Sequence, residues 1–171
     1  MTRLENLQNK IVSLEEAKRR MGIWRNAGLK VVFTNGCFDI LHKGHVTYLT
    51  QASEYGNRLV VGLNSDTSVK RQGKGPNRPI NDEDARRIVL AGLGVVDLVV
   101  IFEEDTPYQL ISELQPDTVA KGADYDPDEN DSSSKKYIVG KDIMTKNGGE
   151  VIAIPLVEGF STTGIIDKLG E

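Results

Sequence analysis

Cysteine is nearly absent from the chain: Cys37 is the only one among 171 residues. A single thiol excludes an intrachain disulfide framework and any cysteine-rich zinc module, and a reducing cytoplasm is the expected compartment. Histidine is equally scarce, with two residues, and aromatics make up 6% of the chain. Long apolar runs are missing. The longest, around Val95 to Phe102, is interrupted by Asp97 and is far too short to cross a bilayer, so no membrane partner is expected. The N-terminal Met1-Thr2-Arg3-Leu4-Glu5 leads into no secretory apolar region. An excess of positive charge is lacking too. Lys and Arg total 21 against 25 Asp and Glu, a net charge of −4. No global field then draws in a duplex, and no nucleic-acid partner is expected. The length suits one domain whose core needs no covalent staple.

What the chain does have is alternation. Apolar, Val- and Ile-rich runs at 30–35, 58–64, 97–102, 118–121 and 150–155 read as strands buried on both faces. Amphipathic stretches separate them, and that βαβα order predicts an α/β, Rossmann-like, doubly wound fold: a mainly five-stranded parallel sheet with helices on both faces. Residues 1–29 are expected to form an N-terminal helical extension packed on a single domain at 30–171. Ser13-Leu14-Glu15-Glu16 reads as a capping box, with Gly28 as the stop. Thr106-Pro107-Tyr108-Gln109 combines an N-cap, a proline at the first helical position and a glutamine three residues on. Asn81 or Asp82 caps a helix running towards Gly92.

Two segments differ in composition. Residues 70–78, KRQGKGPNR, hold four basic side chains and no acid, whereas 124–131, DYDPDEND, hold five acids. Both read as solvated loop. The spacing Asp126-x-Asp128-x-Asn130 resembles the start of a calcium loop, but Asp131 stands where the turn needs glycine and Tyr137 where a bidentate glutamate belongs, so no metal site is assigned there.

The sharpest signal runs from Thr34 to His45, TNGCFDILHKGH. It starts where the first strand ends and enters a helical pattern at Val46-Tyr48-Leu49, and the carboxyl ends of strands are where open α/β sheets bind ligands. His42 and His45 are three apart, so both rings can point from a helix N-terminus at one anion, with Gly44 allowing close approach. The helix dipole and its open N–H groups draw negative charge to the same spot. Other readings stand beside this one: two surface histidines, half of a metal site completed by Cys37 and Asp39, or a thiol pair of Cys37 with a histidine. Cys37 on its own reads as a small buried hydrophobe. The N–H groups of Cys37 and Phe38 could cradle a phosphate, with Gly36 supplying the backbone conformation. Ser161-Thr162-Thr163 opens the last helical pattern. It reads as an N-cap or as a second cradle for the β and γ phosphates. No P-loop is present, and Gly92-x-Gly94 lacks the third glycine of a dinucleotide fingerprint.

Gly36-x-Phe38-Asp39-x-Leu41-His42-x-Gly44-His45 resembles the signature of the HxGH nucleotidyltransferase superfamily, the cytidylyltransferase-like group. Asn64-Ser65-Asp66, Arg78-Pro79-Ile80-Asn81, Glu103 to Pro107, Lys121-Gly122-Ala123-Asp124-Tyr125 and Gly159 to Ile166 extend the likeness. Within the group they resemble the heptose 1-phosphate adenylyltransferases of lipopolysaccharide core synthesis. The resemblance implies transfer of AMP from ATP to heptose 1-phosphate, with Mg²⁺ accompanying ATP. It implies catalytic or phosphate-binding roles for His42, His45, Lys74 and Arg86, and nucleotide or phosphate contacts at Thr34, Asn35, Gly36, Cys37, Phe38, Gly44, Lys121, Ser161, Thr162 and Thr163. Asp39, Asn64, Asp66, Asp124 and Tyr125 would face the sugar phosphate or nucleotide. A homo-oligomer is implied as well. No sugar-kinase segment precedes the domain, so a stand-alone form served by a separate heptose kinase is expected. One departure is the longer polar stretch near 130–136. The alternative within the group is a cytidylyltransferase acting on glycerol 3-phosphate or a similar phospho-alcohol. Outside it stands a nucleotide-binding module without turnover.

Overall fold

Strands that are apolar on both faces need a helix layer on each side, and the helical segments between them supply both. In the computed structural model, which describes residues 1–73 and 75–169, five strands make one parallel sheet. They are β1 (Val31–Gly36), β2 (Arg58–Asn64), β3 (Leu98–Phe102), β4 (Thr118–Gly122) and β5 (Glu150–Ile154), in the order β3-β2-β1-β4-β5. The predicted runs differ from these by at most one residue at either end, for local reasons. Asp97 sits outside β3 because its carboxylate accepts from the Leu59 N–H at 2.8 Å, and Pro155, without an N–H, cannot extend the ladder.

The helices described are α1 (Arg3–Gln8), α2 (Leu14–Asn26), α3 (Lys43–Ser53), α4 (Asp66–Arg71), α5 (Glu83–Ala91), α6 (Tyr108–Leu114), α7 (Lys141–Asn147) and α8 (Thr162–Leu169). On one face of the sheet Ala17 and Met21 of α2, Leu110 and Ile111 of α6 and Met144 of α7 pack with Phe33, Val60 and Val100. On the other, Leu49 and Ala52 of α3 and Leu90 of α5 pack with Val32, Val61 and Leu63. Residues 10–12 cover the outer edge of β3: the Val99 N–H donates to the Lys10 carbonyl at 2.8 Å and the Val12 N–H to the Val99 carbonyl at 3.0 Å.

Helix starts are partly as expected. Ser13 caps α2 by accepting from the Glu16 N–H, but the Glu16 carboxylate engages Arg19 and Arg20 instead of closing the box. Gly28, at φ +73°, follows the end of α2 as a stop should. Asp82, not Asn81, caps α5. At α6 the expected Thr106 cap is absent: Pro107 holds the cap position with no side-chain hydrogen bond, and the helix begins at Tyr108.

The acidic stretch folds as a chain of turns whose ends meet. The Asp126 N–H donates to the Lys136 carbonyl at 2.9 Å, and Lys141 Nζ donates to the Glu129 carbonyl and Asn130 Oδ1. Ile138, fully buried, anchors the exit in the core. Among the described residues no helix is long and apolar enough to cross a membrane.

Candidate active site

The chain steps outward from β1 to β2 and β3, then returns past β1 to build β4 and β5. Loops leaving the carboxyl ends of β1 and β4 therefore diverge, and a crevice opens between them. A cleft of about 430 Å³ lies there, walled by the turn after β1, the start of α3, the segment after β4, and the segment from β5 into α8.

The two histidines meet in this cleft. His42 is the N-cap of α3, with extended backbone at φ −143°, and its Nδ1 accepts from the His45 N–H at 3.4 Å. In the neutral ring that leaves Nε2 to carry the proton. The His42 and His45 rings stack with centroids 3.8 Å apart, and Phe38 meets His45 edge-on at 5.3 Å. Gly44 makes this packing possible: a Cβ there would stand 3.0 Å from His42 Nδ1 and 3.3 Å from Phe160 Cβ. Its place in the motif thus serves the imidazole as well as any approaching phosphate. Gly36 likewise serves Phe38, whose ring lies 3.0 Å from where a Cβ would be, and the left-handed residue of this turn is not Gly36 but Phe38, at φ +43°. A bulky residue there is uncommon and needs its surroundings to hold it.

Burial lowers the pKa of His42 below its ordinary value of 6.5. The unfolded chain then takes up the proton first, so this contribution to stability is complete above pH 6.5 and declines as pH falls below it. Imidazole NMR of the free protein is expected to give a His42 midpoint under 6.5, moving upward on addition of pyrophosphate. A midpoint at or above 6.5 without ligand would contradict the burial.

Of the remaining predicted residues, Asn35, Cys37, Lys121, Asp124, Tyr125, Ser161 and Thr162 also line the cleft. Lys121 Nζ donates to Asn35 Oδ1 at 3.0 Å and lies 4.8 Å from the centre of the Tyr125 ring. Cys37, buried, points its thiol at Gln72 Oε1, 3.2 Å away. Ser161 Oγ accepts from the Gly164 N–H at 2.9 Å, a cap for α8, and Thr162 Oγ1 reaches the Ile40 carbonyl at 3.5 Å.

Others lie elsewhere. Thr163 faces a separate hollow with Arg78 and Ile80. Thr34 is fully buried beneath the cleft floor, 2.8 Å from the Tyr48 hydroxyl. Arg86, expected at phosphate, is a structural clamp: its side chain has no exposed surface and donates to the carbonyls of Asn81, Cys37 and Asn64 and to Asp66 Oδ1. Asp66 is thereby engaged with Arg86, and Asn64 donates to Ser68 Oγ. Asp39 also turns inward. Burial raises its pKa, but N–H donors from Asn81 and Ile80 together with Arg78 outweigh that and hold the carboxyl below its usual range. Asp39 thus ties the end of the basic segment to the turn before His42. Lys74 lies outside the described residues.

Sequence reasoning missed five cleft residues: Tyr48, Gly122, Leu156, Val157 and Phe160. Tyr48 had a legible signal, since it follows His45 by three residues on one helix face. The others sit on segments whose direction only the fold sets.

A family model for cytidylyltransferase-like proteins matches residues 33–168. The bifunctional protein HldE of Magnetococcus marinus is 52% identical over 161 residues, covering 94% of this chain and 31% of that protein. HldE of Hyphomonas neptunium is 55% identical over 145 residues, covering 85% of this chain and 28% of its own length. The chain thus spans about a third of the length of the curated relatives it matches. Among solved structures, the lipopolysaccharide core biosynthesis protein from Thermoplasma volcanium is similar at a TM-score of 0.58 and 29% identity, over 76% of this chain and 98% of its own. Pantothenate synthetase from Thermus thermophilus, at a TM-score of 0.54 and 18% identity over 86% and 62% of the two chains, shares the fold. The matched residues contain every wall of the cleft, and the chain belongs to the cytidylyltransferase-like family of nucleotidyltransferases.

Proposed function

We propose that the protein transfers the AMP group of ATP to heptose 1-phosphate, forming ADP-heptose and pyrophosphate. The observation that carries this reading is the stacked His42–His45 pair at the N-terminus of α3, inside a cleft at the sheet's switch point. The similarity to HldE proteins and to a lipopolysaccharide core biosynthesis protein supports the acceptor.

The chemistry follows from charge. An oxygen of the sugar phosphate, already ionised, attacks the α-phosphorus of ATP; the new P–O bond forms as the bond to the β-phosphate bridging oxygen breaks, and pyrophosphate leaves with that electron pair. No base is needed to make the nucleophile, so rate depends on alignment and on stabilising charge as it moves to the leaving group. His42, whose Nδ1 is occupied by the His45 N–H, offers Nε2–H as a donor to that charge, and His45 stacks beside it as the second. Lys121, with the N–H groups at the start of α8, would meet the remaining phosphate oxygens. Asp124 and Tyr125 stand where hydroxyls of the nucleotide or sugar could be held. Asp124 is the single carboxylate among the described residues of the cleft wall, so in this reading Mg²⁺ enters with ATP on phosphate oxygens and water. A heptose kinase activity, fused or separate, would supply the acceptor, and assembly into a homo-oligomer forms part of the same proposal.

The test is pyrophosphate release with heptose 1-phosphate or glycerol 3-phosphate, each against ATP, CTP, GTP and UTP. Turnover is expected with ATP and heptose 1-phosphate. Turnover confined to CTP and glycerol 3-phosphate would replace this reading with the cytidylyltransferase one, and nucleotide binding without any turnover would leave a binding module.

A further inference from the structure

The sheet is not one even ladder. β1 and β2 are in register over six residue pairs and β4 and β5 over five, whereas β1 and β4 pair only at Val32↔Thr118 and Phe33↔Val119. Past those two pairs, towards the cleft, the central strands part. The next residue on each strand, Thr34 and Ala120, is fully buried, and the two are joined through a side chain from a third element. The Tyr48 hydroxyl of α3 lies 2.8 Å from Thr34 Oγ1 and donates to the Ala120 carbonyl at 3.0 Å. With its proton committed to Ala120, the hydroxyl accepts from Thr34. One residue further out, Lys121 Nζ reaches Asn35 Oδ1, and both of these residues line the cleft, as does Tyr48 itself.

Tyr48 is 8% exposed and stands one helical turn after His45 on the same face of α3. Its hydroxyl therefore fixes three things together: the separation of β1 from β4, the seating of α3 against both, and through α3 the place of the paired imidazoles. We propose that Tyr48 is a positioning residue whose hydroxyl braces the split between β1 and β4 and so sets how far the His42 and His45 rings stand from the wall formed by residues 121–125. The inference rests on the nucleotidyl-transfer reading of the cleft. In-line transfer needs groups from both walls in place at once, and a displacement of about 1 Å costs on the order of a hundredfold in rate. Ground-state contacts to a nucleotide are shared among many groups and tolerate the same displacement, so the loss belongs in kcat and not in KM.

Tyr48→Phe keeps the ring and deletes only the brace. Thr34→Val, which removes one arm and leaves the bond to Ala120, is the milder companion should the first fold poorly. Both are compared with the parent at a temperature well below every melting midpoint. The expected result is a kcat lower by about tenfold to a hundredfold in Tyr48→Phe and by less in Thr34→Val, with the KM for ATP within about twofold of the parent. A kcat within about twofold of the parent alongside a lowered Tm would make Tyr48 merely structural and overturn the proposal. The second readout needs no turnover. The chain has two histidines, so its imidazole ¹⁵N spectrum is a direct record of the pair. The ring nitrogens of both histidines are expected to shift in Tyr48→Phe, and an unchanged spectrum would overturn the brace. Should the parent turn over no nucleotide at all, the functional reading fails by itself and this spectrum alone decides the role of Tyr48.

Discussion

His42→Ala is expected to lower kcat by about 10²–10³, roughly 2.7–4 kcal/mol of transition-state stabilisation, while the protein still binds ATP. The magnitude is that of losing one preorganised donor aimed at developing charge, which is the part the His42 ring plays with Nδ1 held by the His45 N–H. The substitution also removes a helix cap, at a cost of about 0.5–2 kcal/mol in stability. His42→Asn separates the two effects: asparagine is a good N-cap acceptor but cannot reach where Nε2–H stands. Steady-state kinetics should therefore show both variants slow, and thermal melts should show the asparagine variant nearer the parent. Equal kcat in parent and His42→Ala would remove the imidazole pair from the chemistry.

Arg86→Ala is expected to destabilise the fold by about 3–5 kcal/mol, read as a fall in the urea midpoint. The guanidinium has no exposed surface and makes four hydrogen bonds that join the turn after β1, the end of β2, the residue before the α5 cap and the start of α4. Without it, the Cys37 and Asn64 carbonyls lose a donor in a buried setting and the Asn81 carbonyl and Asp66 carboxylate lose one in a partly buried setting, and buried acceptors left without donors are costly. Arg86→Lys should recover only part of the loss, because one ammonium cannot imitate a planar fork reaching partners on separate elements. A midpoint within experimental error of the parent in Arg86→Ala would show that the clamp is redundant.

The histidine and arginine cases mark where the sequence was legible and where it was not. The sheet could be read because parallel strands buried on both faces leave an uninterrupted Val and Ile record, and the residues that shifted the ends, Asp97 and Pro155, act through one hydrogen bond or its absence. The histidine pair could be read because spacing along a helix start is local. Arg86 could not: a buried arginine and a phosphate-binding arginine look alike in sequence, and only the packing of α5 under the β1 turn shows that its donors go to the polypeptide. Asp39 is the same case with opposite charge, its carboxylate engaged by Arg78 and two N–H groups contributed some forty residues later. Thr106 failed for a third reason, since the helix starts one residue later than its pattern suggests: Pro107, which has no side-chain hydrogen-bonding group, takes the cap position and α6 begins at Tyr108.

The closed turn of residues 126–136 has a practical consequence. Its two ends are joined by one backbone hydrogen bond, its side chains are polar and mostly exposed, and the core contact begins only at Ile138. Exposed polar loops of that kind accept foreign sequence readily. An epitope or fluorophore-bearing peptide spliced near Ser132 would be carried outward from a fixed base, giving the protein a label whose attachment disturbs neither the sheet nor the paired imidazoles.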